Sequence, residues 1–281
     1  MSARRIPPWV FGELSWRRLG VSLIEVTVIV YAVMFVYGIV RADSLVFKPQ
    51  PATYGIGEPY LELETGSGER LTVRHMTNPD ARFTVLYSHG NAEDLGDLEP
   101  ILEEFVAHGY SVIAYDYAGY GTSTGTPSER GAFEEIRTVY EYLVEERGVP
   151  ARQVLVFGRS VGSSPSVRLA AGHPVGGLVL EGAFVSASRA MTGVPVFPVE
   201  RFDNLGRIRK VSCPVLVIHG TADEVIPHWH GEALYERANP PKRYLWVSGA
   251  HHDDVQWVAG SAYWEALDGF AELVEGSASI R

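Results

Sequence analysis

Residues 154–162 read Val-Leu-Val-Phe-Gly-Arg-Ser-Val-Gly, an apolar run that leads into a Gly-x-Ser-x-Gly motif with Ser160 at its centre. The apolar run predicts a buried strand, and residues 163–171 beyond the motif predict a helix. The glycines permit a sharp turn between the two, because a Cβ at either position would collide with neighbouring backbone. We expect Ser160 to stand exposed on this turn as a nucleophile, with the backbone N–H of Val161 directed at an oxyanion.

Length and composition limit the class of protein. A chain of 281 residues, 46% of them hydrophobic, has room for one large α/β domain with an appendage. The formal net charge of -10 argues against a nucleic-acid partner, because phosphate binding needs a basic face. The only cysteine, Cys213, cannot form an internal disulfide, and its position before Pro214 and an apolar run predicts a buried structural thiol.

An apolar segment near the N-terminus predicts a membrane anchor. Residues 19–40 are almost wholly apolar, with Glu25 as the only charge. At about 1.5 Å per residue a helix of this length reaches about 33 Å, which is enough to cross a bilayer. A cleaved signal peptide has a shorter apolar core and a small-residue cleavage site, which is not found here. We therefore predict a retained transmembrane signal anchor; the alternative is a buried core helix.

Basic residues are unequally distributed around this apolar segment. Four arginines precede it and two basic residues follow it. By the positive-inside rule, this difference predicts a cytoplasmic N-terminus and a globular domain on the non-cytoplasmic side of the membrane. The residues counted are Arg4, Arg5, Arg17 and Arg18 before the segment, and Arg41 and Lys48 after it.

The domain organisation follows from these patterns. Residues 1–18 form a basic N-terminal segment, 19–40 the anchor, 41–58 a linker rich in proline and glycine, and 59–275 the globular domain. In that domain, residues 60–65 and 69–76 alternate polar and apolar around Gly66-Ser67-Gly68 and predict an antiparallel hairpin.

A different pattern begins after the hairpin. Short apolar runs, typical of strands buried on both faces, alternate with amphipathic stretches typical of helices. This alternation predicts a mainly parallel sheet with an antiparallel start and helices on both faces. The predicted strands are 83–88, 111–115, 154–157, 178–180, 215–218 and 244–247, and the predicted helices include 98–107, 131–146 and 229–238.

Polar residues follow the predicted parallel strands, where open sheets bind their ligands. After residues 83–88 comes a small-residue loop in which the N–H of Asn91 or of Ala92 is the second candidate oxyanion donor. We interpret His89 as an organiser of this loop, and Asp116, after residues 111–115, as a residue that holds the next loop. The glycines at 119, 121 and 125 do not match the dinucleotide motif, so we predict no cofactor.

Ser160, Asp223 and His252 occur in the chain order of a serine nucleophile, a carboxylate and a histidine base. A serine hydroxyl is too weakly acidic to attack alone, so an imidazole must take its proton and a carboxylate must orient that imidazole. Three neighbours remain open on these grounds: His251 in place of His252, and Glu224 or Glu181 in place of Asp223. We predict no metal, because the spacing of His228, His230, His251, His252 and Asp253 matches no ligand motif.

Five motifs together resemble the BEM46-like α/β-hydrolase domain proteins, a group that includes the ABHD13 and ABHD17 types. The resemblance runs from about Asp43 to the last helix and rests on residues 87–94, 115–123, 158–162, 213–227 and 249–254. Members typically carry Gly-His-Asn-Asp where this chain has His-His-Asp-Asp at 251–254. Alignment on Gly249-Ala250 and the final Asp makes His252 the catalytic histidine that the resemblance implies.

The resemblance implies an α/β-hydrolase fold and a serine hydrolase that acts on esters or thioesters. ABHD17-type members remove palmitate from protein cysteines and reach the membrane through an acylated, cysteine-rich N-terminus, which this chain does not have. Its layout is more similar to that of the single-pass BEM46 and ABHD13 types. A short lid would occupy residues 184–209, where Phe184, Met191, Val194, Val196 and Phe197 would suit an acyl chain or simply pack the lid.

Three functions are therefore weighed. The first is a membrane-anchored esterase or thioesterase that takes a small-molecule or acylated substrate. The second is a serine aminopeptidase, which would need an acidic pocket for the substrate amine. The third is a catalytically silent, membrane-anchored binding protein, against which the presence of Ser160, Asp223 and His252 argues.

Overall fold

The computed structural model of the chain describes residues 16–57, 59–193 and 200–278. It divides into two compact units, Met1–Ala42 and Asp43–Arg281. Helix α1 (Trp16–Val46) begins in the first unit, and its segment Leu19–Tyr37 has a mean hydropathy of 2.3 and no buried residue. This segment is long and apolar enough to cross a membrane. Arg4 and Arg5, which enter the predicted orientation, lie outside the described residues.

The second unit includes part of the predicted linker. The unit begins at Asp43, and Phe47 is buried against the rings of Tyr117, Tyr120 and Phe202. Aromatic side chains contribute a large apolar surface to a core, so this contact fixes the start of the domain. The chain from residue 43 therefore folds with the domain.

One mixed sheet organises the second unit, with its strands in the order β1-β2-β4-β3-β5-β6-β7-β8. β2 pairs antiparallel with β1 and β4, and the remaining neighbours are parallel. The predicted hairpin, the six predicted strands and the mainly parallel sheet are confirmed. The strands are β1 (Leu61–Glu64), β2 (Arg70–Met76), β3 (Thr84–Ser88), β4 (Ser111–Tyr115), β5 (Val154–Arg159), β6 (Gly177–Glu181), β7 (Val215–Gly220) and β8 (Lys242–Val247).

Helices cover both faces of this sheet. Side chains alternate along β5, so that Val154 and Val156 enter one core while Leu155 and Phe157 enter the other. The first core packs against α3, α4 and α7, and the second against α2 and α9. The helices are α2 (Leu95–Ala107), α3 (Glu129–Glu141), α4 (Ser163–Gly172), α5 (Ala187–Thr192), α6 (Asn204–Arg207), α7 (Trp229–Arg237), α8 (Val255–Ala259) and α9 (Ser261–Ala278).

Two helix boundaries differ from the prediction for local reasons. α2 begins at Leu95, three residues earlier than the apolar pattern indicates, because Asp94 and Asp97 form a capping box. The predicted helix 131–146 is α-helical only to Glu141 and continues as a π-helical turn, Tyr142–Glu146. Apolar residues do not recur at helical spacing in the polar cap of α2 or in the turn after α3. Hydrophobic periodicity therefore does not predict these two boundaries.

The turn between β5 and α4 requires glycine at both positions of the motif. A Cβ on Gly162 would lie 2.1 Å from the carbonyl oxygen of Ser88, the last residue of β3. A Cβ on Gly158 would lie 2.6 Å from the carbonyl oxygen of Gly162. Both of these neighbours are backbone atoms, which cannot move aside as a flexible side chain can. The turn therefore packs directly against the end of β3.

Alanine substitutions at the two ends of α4 test this contact. Gly162→Ala is expected to lower the free energy of unfolding by about 3 kcal/mol or more, since the new Cβ overlaps backbone. Gly172→Ala is the matched control, because its Cβ meets none of the described residues within 4 Å. The control should be neutral or stabilising by up to about 1 kcal/mol. Thermal unfolding of the full chain in detergent measures both, and equal stabilities would contradict the account.

Candidate active site

Ser160 lies at the carboxyl end of β5, at the start of a 3-10 turn that leads into α4. Its φ of 51° lies in the left-handed region, which costs a residue with a Cβ about 1–3 kcal/mol. The surrounding backbone holds the residue in that conformation. Ser160 is half-buried, whereas the sequence predicts that it stands exposed.

A chain of hydrogen bonds links Ser160 to the other two predicted residues. His252 Nε2 lies 3.0 Å from Ser160 Oγ, and His252 Nδ1 lies 2.7 Å from Asp223 Oδ2. Asp223 follows β7 and His252 follows β8, so all three stand at the carboxyl edge of the sheet. The imidazole is therefore placed between a hydroxyl and a carboxylate.

The carboxylate of Asp223 is held by its own loop. Its Oδ1 accepts hydrogen bonds from the N–H groups of Val225 and Ile226, at 2.9 and 2.7 Å, which leaves Oδ2 to the imidazole. His219 Nε2 lies 3.3 Å from Oδ2. Burial opposes the charged form of Asp223, but hydrogen bonds from His219, His252 and Ile226 outweigh it and hold its pKa well below the ordinary value. Asp223 therefore stays ionised at neutral pH.

The residues left open as alternatives have other contacts. His251 is exposed, and its backbone N–H donates to Asp254 at 2.6 Å. Glu224 is exposed as well. Glu181 accepts a 2.6 Å hydrogen bond from the Tyr263 hydroxyl and lies 3.4 Å from Arg159. The structure thus brings His252 and Asp223, rather than these neighbours, to Ser160.

The loop after β3 lies beside the serine. A Cβ on Gly90 would stand 3.6 Å from Ser160 Cβ, and Ala92 has a left-handed φ of 61°. Within the part of the chain that the structure describes, the N–H groups of Asn91 and Ala92 have no hydrogen-bond acceptor. Both remain available to a developing negative charge, together with the N–H of Val161.

The Asn91 side chain connects this loop to the start of the domain. Its Oδ1 accepts from the Lys48 N–H at 2.8 Å and from the Tyr120 hydroxyl at 2.6 Å, and its Nδ2 donates to the Val46 carbonyl at 2.7 Å. The sequence does not indicate this contact, because nothing in the local pattern relates residues 46–48 to residue 91. A fragment that begins after residue 48 would lose it.

His89 also supports the loop after β3. It is fully buried, its Nδ1 lies 2.7 Å from the Gly90 carbonyl, and its Nε2 lies 3.3 Å from Asp116 Oδ1. Burial opposes protonation of His89, but the hydrogen bond and charge of Asp116 outweigh it and raise the pKa. Asp116 also accepts from the Leu95 N–H at 3.1 Å. These contacts fit the interpretation of both residues as loop organisers.

Arg159, which the sequence patterns do not indicate as a site residue, joins two loops of the site and the end of β6. Its guanidinium contacts Glu93 at 2.6 Å, Glu181 at 3.4 Å and Asp253 at 2.9 Å. Glu93 in turn accepts a 2.5 Å hydrogen bond from the Gly90 N–H. Burial favours neutral Arg159, yet the surrounding carboxylates, with Glu93 first, raise its pKa. The signal in the sequence is a charged residue at the end of an otherwise apolar strand.

The predicted lid is described only in part. Phe184 is buried in the core, whereas Met191 on α5 is 58% exposed. Asn204, at the start of α6, donates from its Nδ2 to Ser163 Oγ at 3.0 Å and to the Phe184 carbonyl at 2.9 Å. Val194, Val196 and Phe197 lie outside the described residues.

The histidines near α7 contact other protein groups. His230 is buried, and its Nδ1 accepts a 3.2 Å hydrogen bond from the Val185 N–H. His228 lies 3.7 Å from Glu232. Among the described residues, no group of three or more His, Cys, Asp or Glu side chains has the arrangement of a metal site.

The strand order, the elbow after β5 and the helices on both faces define an α/β hydrolase. Comparison with known proteins agrees. A family model described as "Serine aminopeptidase, S33" matches residues 79–208. An esterase from Pyrococcus furiosus superposes with a TM-score of 0.68 at 17% identity, over 80% of this chain and 97% of the esterase. An α/β hydrolase from Vibrio vulnificus gives 0.62 at 21% identity, over 75% and 80%.

Relatives with higher identity narrow the family. The chain is 42% identical over 198 residues to the α/β-hydrolase domain-containing protein aho-3 of Caenorhabditis elegans, an alignment that covers 69% of this chain and 59% of that protein. It is 37% identical over 199 residues to α/β-hydrolase domain-containing protein 17B of Xenopus tropicalis, over 68% of each. The chain belongs to this family of α/β-hydrolase domain-containing proteins.

Substitution of Arg159 tests whether its contacts position the site. Arg159→Gln is expected to lower kcat/KM for p-nitrophenyl acetate by about 10- to 100-fold, because small displacements of reacting groups have effects of that size. Arg159→Lys keeps the charge without the planar guanidinium, so its kcat/KM should lie between those of the unaltered chain and of Arg159→Gln. Arg152→Gln, at the exposed residue near the other end of β5, is the control. Thermal unfolding of each variant separates lost activity from lost stability. If the variants are less stable but kcat/KM per folded molecule is unchanged, Arg159 has a purely structural role.

Proposed function

We propose that the protein is a serine hydrolase that cleaves carboxylic esters or thioesters through an acyl-enzyme on Ser160. The observation that carries the proposal is the continuous hydrogen bonding from Ser160 Oγ through the His252 imidazole to Asp223. Asp223 is ionised and accepts a hydrogen bond from the Nδ1–H of His252, so the lone pair of Nε2 faces the hydroxyl. That tautomer is the one a general base requires.

Acylation follows from this geometry. Ser160 Oγ attacks the substrate carbonyl carbon while Nε2 of His252 takes the hydroxyl proton. The negative charge moves to the carbonyl oxygen, where the N–H groups of Val161 and of Asn91 or Ala92 stabilise it. The imidazolium, stabilised by Asp223, then gives its proton to the alcohol or thiol as the bond to the leaving group breaks.

Deacylation reverses the roles. Water loses a proton to His252 Nε2 and attacks the acyl carbon, and the imidazolium returns the proton to Ser160 Oγ as the acid leaves. No group beyond substrate and water is consumed. Both halves of the reaction use the same three side chains and the same N–H donors.

Esters or thioesters fit this site better than peptides with a free amino terminus. An aminopeptidase needs an unpaired carboxylate for the substrate ammonium group. The carboxylates of Glu93, Glu181 and Asp253 around the elbow are instead paired with Arg159. The description of the matching family model makes the peptidase the second candidate.

We further propose that the hydrolase acts at a membrane. The support is the apolar helical segment Leu19–Tyr37, whose length suffices to cross a bilayer. The arrangement predicted from the sequence has residues 1–18 as a basic segment, 19–40 as the anchor, 41–58 as the linker and 59–275 as the hydrolase domain. The proposal changes it in one respect, because the linker folds with the hydrolase domain from Asp43 onward. The arginine count places the N-terminus in the cytoplasm and the domain on the opposite side.

Hydrolysis of p-nitrophenyl esters from acetate to palmitate tests the reaction. Ser160→Ala and His252→Ala should each lose about 10³-fold or more in kcat, because neither attack nor proton transfer remains. His251→Ala, one residue away, is the matched control and should retain activity. An amino acid p-nitroanilide tests the peptidase. Turnover of the anilide but of no ester, or ester turnover that survives Ser160→Ala, would contradict the proposal.

A further inference from the structure

A groove between α3, α4 and α6 concentrates positive charge on an acidic protein. Its volume is about 560 Å³, and its described lining includes five cationic side chains and one carboxylate, that of Glu134. The groove thus has a formal charge of about +4 on a chain whose net charge is -10. The cations are Arg130, Arg137, Arg168, Arg207 and Lys210.

Three of the five cations have no carboxylate partner among the described residues. The guanidinium carbons of Arg168 and Arg207 lie 4.1 and 5.2 Å from the centroid of the same ring, that of Phe133. Among the described residues, no carboxylate lies within 4.0 Å of Arg130, Arg168 or Lys210. Burial, and then the charge of Arg207, lowers the pKa of Arg168. An anion between them would relieve this repulsion.

The groove adjoins the residue through which the domain continues from the apolar segment. Asp43, the first residue of the second unit, accepts a 2.9 Å hydrogen bond from the Glu129 N–H and contacts Arg201 at 2.7 Å. Glu129 opens α3 and also contacts Arg207 at 3.5 Å. Attachment and groove therefore share one network of contacts.

We propose that this groove binds the phosphate headgroup of an acidic phospholipid and so holds the domain on the membrane surface. Charge complementarity supports the lipid. A guanidinium group can donate two parallel hydrogen bonds to the oxygens of one phosphate, and each cation near an acidic membrane raises the affinity for that membrane about fivefold. This inference rests on the proposed membrane anchor. A lipid is favoured over a free anion because the domain continues in sequence from an apolar segment long enough to cross a bilayer, which keeps the protein among lipid headgroups.

A reporter cysteine in the full chain, reconstituted into lipid nanodiscs, tests the proposal. Gly172 lines the groove, is exposed, and would accept a Cβ without a contact to the described residues, so Gly172→Cys is labelled with a maleimide. The buried native thiol is removed by Cys213→Ala. Gly276→Cys, equally open and located on α9 on the other face of the sheet, is the matched reporter.

Labelling of Gly172→Cys should be about fivefold slower in discs that contain phosphatidylglycerol than in phosphatidylcholine discs, with Gly276→Cys unchanged. Combined Arg130→Gln, Arg168→Gln and Lys210→Gln should abolish the slowing, whereas Arg147→Gln with Arg237→Gln should keep it. Hydrolysis of p-nitrophenyl acetate shows that each variant is folded.

Two results would overturn the proposal. The first is equal labelling of the groove reporter in both kinds of disc. The second is slowing to the same extent by inorganic phosphate in phosphatidylcholine discs, which would assign the groove to a soluble phosphate compound. Slowing that survives the three glutamine substitutions would count against it in the same way.

Discussion

The contact between the β5–α4 turn and the end of β3 is the constraint on which the site depends. Gly162 has no room for a Cβ beside the Ser88 carbonyl, and Ser160, two residues earlier, adopts a left-handed conformation. Strain of about 1–3 kcal/mol persists only where the surroundings over-determine the backbone. Here the two central strands supply that rigidity, so the serine and the loop that begins at His89 are fixed relative to each other.

Arg159 extends this constraint to the loops that follow other strands. A buried cation needs carboxylates around it, because an unpaired charge in the interior costs several kcal/mol. Glu93 and Asp253 meet that need from two loops, and Glu181 meets it from the end of β6. Through Glu93, which accepts from the Gly90 N–H, and Asp253, which follows His252, this ion-pair network connects the Gly90 turn and the histidine loop to the end of β5.

The sequence predicts most of the fold because β3 to β7 are buried on both faces. Such strands appear as short apolar runs, and β3 to β7 lie where those runs do. The edge strand β8 is only partly buried, but its apolar run predicts it as well. The candidate triad follows from residue order and from the ends of strands. Residue order does not choose His252 over His251, since neighbours one position apart differ only in tertiary contacts; the family resemblance at residues 249–254 makes that choice. The side-chain contacts of Arg159 and Asn91 cannot be predicted from the sequence for the same reason, because their partners lie far away in the chain.

Covalent labelling of the full chain with a fluorophosphonate, read by intact-mass and peptide mass spectrometry, tests the central claim most directly. The account predicts one phosphonyl group per chain, on the peptide that contains Ser160, and none on the Ser160→Ala variant. His251→Ala should be labelled as the unaltered chain is. Labelling that persists in Ser160→Ala, or a folded chain that takes up no label, would contradict Ser160 as the nucleophile.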